Sequence, residues 1–149
     1  MPDHSLDPRD WDGFREQAHA ILDEAIDFLA SIRQRAVWKP VPPEVKAQLS
    51  EPLPLEASTL GDVYERFRAL ILPYATGNIH PRFFGYVHGT GTPGGMIAEM
   101  LAAAMNANVG GRDHAAVYVE RAVIEWARQI LGFPDGASGV LVTGTSIAN

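Results

Sequence analysis

The sequence predicts an α/β protein, mostly helical along its 149 residues and closing on one C-terminal strand. Three observations carry that expectation. Apolar residues recur at helical spacing, in pieces divided by prolines. Residues 77–95 interleave glycines with aromatics and histidines and show no helical period. The closing run Gly139-Val140-Leu141-Val142-Thr143-Gly144-Thr145-Ser146 passes from a β-branched strand pattern into a turn where a helix is due to start.

The elements follow in order. Asp7 and Pro8 form a helix start, with an Asp cap and Pro at the first helical position. Phe14, Ala18, Ile21, Leu22, Ala25, Leu29 and Ile32 then define an amphipathic helix expected to reach about Ala36, with Gly13 weakening its first turns. Pro40, Pro42 and Pro43 end it. Glu44 to Leu49 is a short second helix. Ser58 or Thr59 caps a third, with Leu60, Val63, Tyr64, Phe67, Leu70 and Ile71 on one face, and Pro73 closes it. Such narrow stripes need a partner surface. Either they make a small three-helix domain, or they form an arm that packs on another subunit or on further chain.

After the 77–95 segment, Met96 to Met105 is a helix rich in small residues, suited to deep burial. Asp113 is the expected cap of a last long helix carrying Val117, Val123, Trp126, Ile130 and Leu131, with Gly132 as its terminator.

Composition limits the function classes. Hydrophobic residues make up 46% and charged residues 20%, a globular balance. A net charge of −6 without a Lys/Arg-rich run argues against nucleic acid. No cysteine is present, which removes disulfides, thiolate zinc ligands and a thiol nucleophile. No apolar run approaches the roughly 18 residues of a membrane span. Met1-Pro2-Asp3-His4-Ser5 is polar and acidic, unlike a secretory signal, so the expected compartment is the cytoplasm.

Gly144-Thr145-Ser146 supports three readings. A strand that breaks at glycine into hydroxyl residues at a helix start is a seat for a phosphate. Gly144-x-Ser146-x-Ala148 also fits a serine-hydrolase nucleophile elbow, which would need an acid and a histidine further on. A plain helix cap is the third. The five histidines have no metal-ligand spacing, and Asp113-His114 reads as a cap and its neighbour. Arg82 beside Phe83 and Phe84 suits an anion contact or a cation stacked on a ring equally well. Gly110-Gly111-Arg112 is either a ligand loop or a tight link. An irregular aromatic loop as long as 77–95 points to function more than to spacing.

His80-Pro81-Arg82-Phe83-Phe84-Gly85-Tyr86, Met100-Leu101, Asn106 and Asn108, Glu120, Trp126, Leu131-Gly132-Phe133-Pro134 and the closing Gly139-to-Ser146 run resemble the group II pyridoxal-phosphate-dependent amino-acid decarboxylases. That family includes the aromatic-L-amino-acid, tyrosine, histidine and glutamate decarboxylases. The resemblance covers nearly the whole chain and is strongest from His80 onward. It implies the N-terminal part of a fold-type I, aspartate-aminotransferase-like enzyme, a carboxy-lyase using pyridoxal 5'-phosphate on an L-amino acid. It further implies a homodimer joined by a helical arm at 1–76, an active-site loop at 77–95, and the start of the cofactor domain at 96–149. Tyr86 and His80 match the loop that reaches a shared active site. Gly144, Thr145 and Ser146 match the cofactor's phosphate turn.

Two departures qualify the resemblance. Val87-His88-Gly89 replaces what the animal aromatic-amino-acid decarboxylases carry, which leaves the substrate open. The only lysines, Lys39 and Lys46, stand in the Pro-rich N-terminal region and not in the family's Schiff-base context. The chain alone is therefore expected to be inactive. A non-catalytic dimerisation or regulatory module and a serine hydrolase remain the alternatives.

Overall fold

The computed structural model describes residues 7–111 and 113–148, with Thr145 described by its backbone only. The first helix, α1, spans Trp11–Ala30. Its cap is Asp10, three residues later than expected: Asp10 Oδ1 accepts the N–H groups of Asp12 (3.1 Å) and Gly13 (3.0 Å). A Cβ at Gly13 would lie 2.5 Å from Asp10 Oδ2. The glycine that looked like a weakness is thus what makes room for the cap. The helix also ends earlier than expected. Ser31 Oγ donates to the Asp27 carbonyl (2.7 Å) and accepts from Arg35 Nε (2.9 Å), and a 3₁₀ turn at Ile32–Gln34 follows. A hydroxyl that bonds back to the last turn competes with helix propagation.

Helix α2 is Pro43–Gln48, opened by its proline, and contains Val45, the buried apolar side chain among the described residues. Helix α3, Leu60–Leu70, starts at a capping box. Thr59 Oγ1 accepts the Asp62 N–H (3.1 Å), and Asp62 Oδ2 accepts the Thr59 N–H (3.4 Å). A 3₁₀ turn at Leu72–Tyr74 contains Pro73. Tyr64 of α3 donates its hydroxyl to Glu24 of α1 (3.0 Å), tying the two helices together.

Helix α4 is Pro93–Met105. It begins three residues before Met96 because Thr92 Oγ1 accepts the Gly95 N–H (3.0 Å), with Pro93 in the first helical position. Helix α5 is Ala115–Leu131. Asp113 does not cap it. His114 precedes the helix in an extended conformation without a side-chain cap, its Nε2 turned to the Asn108 carbonyl (2.9 Å). Gly132 terminates α5 as expected, with φ +69° and paired bonds from Gly132 N to Gln129 O (3.2 Å) and Phe133 N to Arg128 O (3.0 Å). A four-residue helix, α6, occupies Thr145–Ala148.

The expected C-terminal strand is not formed. Among the described residues no strand occurs, and 137–142 has no regular secondary structure. A strand is defined by ladder bonds to a neighbour, and no described segment provides one. The turn that leads into it is held by α5. Arg128 forks onto Glu125 (2.7 and 2.8 Å) and reaches Asp135 Oδ1 (2.9 Å) and the Phe133 carbonyl (3.0 Å). A Cβ at Gly139 would touch Ile124 Cγ2 at 3.3 Å.

The chain divides at Met96/Ile97 into two compact units. In the first, Gly77 is buried with φ +85°, and any Cβ there would overlap the carbonyl oxygen of Val37. Gly77 and Ile79 line a cavity of about 620 Å³ together with Phe28, Ile32, Val37 and Leu72. No described helix is long and apolar enough to cross a membrane.

Two outcomes are expected. Gly77→Ala loses about 2 kcal/mol or more in urea unfolding, because it combines a positive φ with a backbone overlap. Gly89→Ala, which meets open space, leaves the midpoint in place. The second concerns acid. The Arg128 guanidinium and Gln129 amide hold the Glu125 carboxyl at about 2, below its ordinary 4.5. Its stabilisation is therefore complete above about pH 4.5 and is lost as pH falls towards about 2. Glu125→Gln flattens that acid limb in a pH series of thermal unfolding.

Candidate functional site

The loop that follows Gly77 is built by hydrogen bonds more than by apolar burial. His80 N–H donates to the Gly77 carbonyl (2.9 Å), and the His80 carbonyl accepts the Phe83 N–H (2.9 Å). The His80 ring is buried, 3% exposed, and Nδ1 accepts the Arg82 N–H at 3.0 Å. With Nδ1 an acceptor, the ring proton sits on Nε2. That atom is buried without a hydrogen-bond partner among the described residues. His80 therefore faces inward, as the inner support of the turn. Arg82 itself is exposed.

Tyr86 faces outward. It is 89% exposed and holds φ +56°, a left-handed conformation uncommon for a residue with a bulky side chain. Its ring stacks on His88 (5.6 Å between centroids, 27° between planes), and His88 stacks in turn on Phe83 (6.0 Å, 19°). Gly85 allows this: a Cβ there would press on Phe83 Cζ at 3.2 Å. Asn78 Nδ2 donates to the Gly89 carbonyl (2.9 Å) and closes the loop into a ring. Asn78 and His88 carried no expected role. An Asn one residue beyond the Gly77 turn was the available signal for the first, and a histidine two residues after a tyrosine for the second.

Gly144, Thr145 and Ser146 lie in the second unit. Gly144 has φ +150°, and among the described residues beyond its two chain neighbours no atom lies within 4 Å of where its Cβ would stand. Its carbonyl accepts the N–H groups of Ile147 (3.0 Å) and Ala148 (3.2 Å), opening α6. The first N–H groups of a helix have no intrahelical acceptor. Ser146 is exposed, and the Thr145 side chain lies outside the described residues. So the structure gathers His80 and Tyr86 into one loop and Gly144 and Ser146 into one turn. Among the described residues no group of three His, Cys, Asp or Glu side chains is arranged for a metal ion.

The pyridoxal-dependent decarboxylase conserved domain matches residues 42–149 of this chain. The chain belongs to that family. It is 30% identical to tyrosine decarboxylase 2 of Narcissus pseudonarcissus, over 97% of this chain and 30% of the relative. It is 31% identical to a tyrosine decarboxylase of Papaver somniferum, over 91% of this chain and 28% of the relative. Among solved structures, Oryza sativa TDC with PLP and tryptamine superposes with a TM-score of 0.71 at 22% identity, covering 87% of this chain and 27% of that one. Catharanthus roseus tryptophan decarboxylase in complex with L-tryptophan gives 0.70 at 26%, covering 87% and 28%. The chain spans about 30% of the length of the curated relatives it matches. It has the fold of the corresponding part of these fold-type I enzymes. Membership removes the ground for reading Ser146 as a hydrolase nucleophile.

The His80 geometry makes a specific prediction. Asn places an acceptor where Nδ1 sits; Gln places its polar group near Nε2. In hydrogen-exchange NMR, the Arg82 amide keeps its protection in His80→Asn and loses it in His80→Gln. The second variant is destabilised by about 1–3 kcal/mol.

Proposed function

We propose that this chain serves in a pyridoxal-phosphate-dependent carboxy-lyase that decarboxylates an L-amino acid, with aromatic side chains as the favoured class. The observation that carries the proposal is the family match, which takes in both the aromatic loop and the Gly144 turn. Relatives named tyrosine decarboxylase and aromatic-L-amino-acid decarboxylase support the aromatic class.

In this reading Gly144, Thr145 and Ser146 hold the cofactor phosphate. The turn suits that group. Gly144 stands in open space in a conformation that favours glycine, so a ligand oxygen can approach the backbone, and the Ser146 hydroxyl is exposed beside it. Bound pyridoxal phosphate supplies a sink for the electron pair left at Cα when the carboxylate departs as CO₂. The chain's own residues bind and orient. Backbone N–H groups of the turn and the Ser146 hydroxyl fix the phosphate. Tyr86 presents a ring face and a phenol to the substrate, and His80 supports it from within the loop. Lys39 and Lys46 take no covalent role.

The arm at 1–76 joins two copies into a homodimer, the loop at 77–95 borders the active site, and 96–149 begins the cofactor domain. Exposed Trp11 and Phe14 on α1 support a partner surface. The enzyme acts in the cytoplasm.

Two measurements test this. The purified chain, mixed with pyridoxal phosphate and treated with borohydride, yields no single-site lysine adduct; one stable adduct at Lys39 or Lys46 overturns the assignment. In the active enzyme that carries this chain, CO₂ is released from L-tyrosine or L-tryptophan, and Ser146→Ala weakens cofactor binding about tenfold, near the worth of one charge-assisted hydrogen bond. Unchanged affinity removes Ser146 from the phosphate site.

A further inference from the structure

Tyr86 is held in an uncommon backbone conformation while its side chain is almost wholly exposed. Core packing therefore does not hold it there. Its ring stacks on that of His88, 5.6 Å between centroids, and His88 stacks in turn on Phe83 at 6.0 Å, so the imidazole contacts both aromatic rings.

Phe83 and the backbone beside His88 are both anchored. Phe83 follows directly from the buried turn, through its N–H to the His80 carbonyl (2.9 Å). Gly89, next after His88, is tied back by its carbonyl to Asn78 (2.9 Å), ahead of that same turn. His88 is thus held through the backbone beside it and by its contact with Phe83, and Tyr86 stacks on the same ring. A flat ring at 88 restrains Tyr86; a small side chain there frees it to leave the left-handed region.

We propose that His88 is a positioning residue: its ring, stacked on both Phe83 and Tyr86, sets the orientation in which Tyr86 is presented. The positioning stands on the loop geometry alone. Its consequence for turnover rests on the decarboxylase reading. The imidazole acts through stacking, so another flat ring substitutes for it.

The full chain is examined by NMR first. Ring currents from two neighbours shift the His88 ring protons upfield of free histidine, and Phe83→Leu and Tyr86→Leu each remove part of that shift. His88→Ala gives Tyr86 the averaged signals of a mobile tyrosine, and His88→Phe keeps them dispersed. Free-histidine shifts in the unaltered chain overturn the proposal, whatever the variants do. In the active enzyme, His88→Ala then lowers kcat/KM about tenfold, as a misplaced contact does, and His88→Phe restores most of it. Equal losses in both variants overturn positioning by stacking, as does full activity in His88→Ala. If the unaltered enzyme releases no CO₂ from any amino acid, the decarboxylase reading fails, and the NMR result still decides the role of His88.

Discussion

The first unit depends on one contact that only glycine can make. Gly77 turns with a positive φ directly against the Val37 carbonyl oxygen, which pins the chain leaving α3 onto the chain leaving α1. Helical periodicity sets neither of these segments. The first is the stretch after Ser31 has ended α1, and the second lies beyond the Leu72–Tyr74 turn. The contact gives the aromatic loop a fixed origin. The next polar bond, His80 N–H to the Gly77 carbonyl, starts from that buried point.

From that origin the loop is organised by a short chain of polar bonds, and this sets its energetic character. Arg82 N–H to His80, Phe83 N–H to His80 and Asn78 to Gly89 fix its path, while Phe84, Tyr86 and Val87 remain in solvent. A segment with few buried apolar contacts and exposed hydrogen bonds opens at lower free energy than a packed core. Active-site loops are drawn from that class. The buried imidazole moors the base through the Arg82 N–H bond to Nδ1, which opening would break. The loop is therefore moored at its base and compliant at its tip, where Tyr86 sits.

What the sequence made legible is what is decided within a few residues. The Gly132 terminator and the Thr59 cap are local devices, and they stand where the pattern put them. Where two local signals competed, the finer one won. Asp10 displaced Asp7 as the cap of α1 because Gly13 leaves space for its carboxylate, and Thr92-Pro93 opened α4 ahead of the apolar run. Elements that depend on distant partners were not legible. The strand pattern at 139–142 describes what the residues suit, but a ladder needs a neighbour that no local pattern provides. The Gly77–Val37 contact and the Asn78–Gly89 bond are likewise non-local. The aromatic loop was legible as an irregular glycine-rich segment, and its inner and outer faces were not. Nothing in the order His80 to His88 says that the first histidine is buried and the second is stacked on two aromatic rings.

The same distinction bears on the turn proposed to hold the phosphate. Several glycines hold positive φ, and most have a reason within the chain: Gly77 makes room for Val37, Gly132 ends α5, and Gly136 stands in a turn closed by Ala137 N–H to Pro134 O (3.1 Å). Gly144 differs. It precedes α6, but capping a helix calls for an ordinary extended residue with negative φ. Its φ of +150° is not required by that role, and no atom of the chain crowds the position. A glycine that its own fold neither crowds nor requires is free to meet something from outside. That supports the proposal that the turn from Gly144 into Thr145 and Ser146, at a helix start, takes an anionic group.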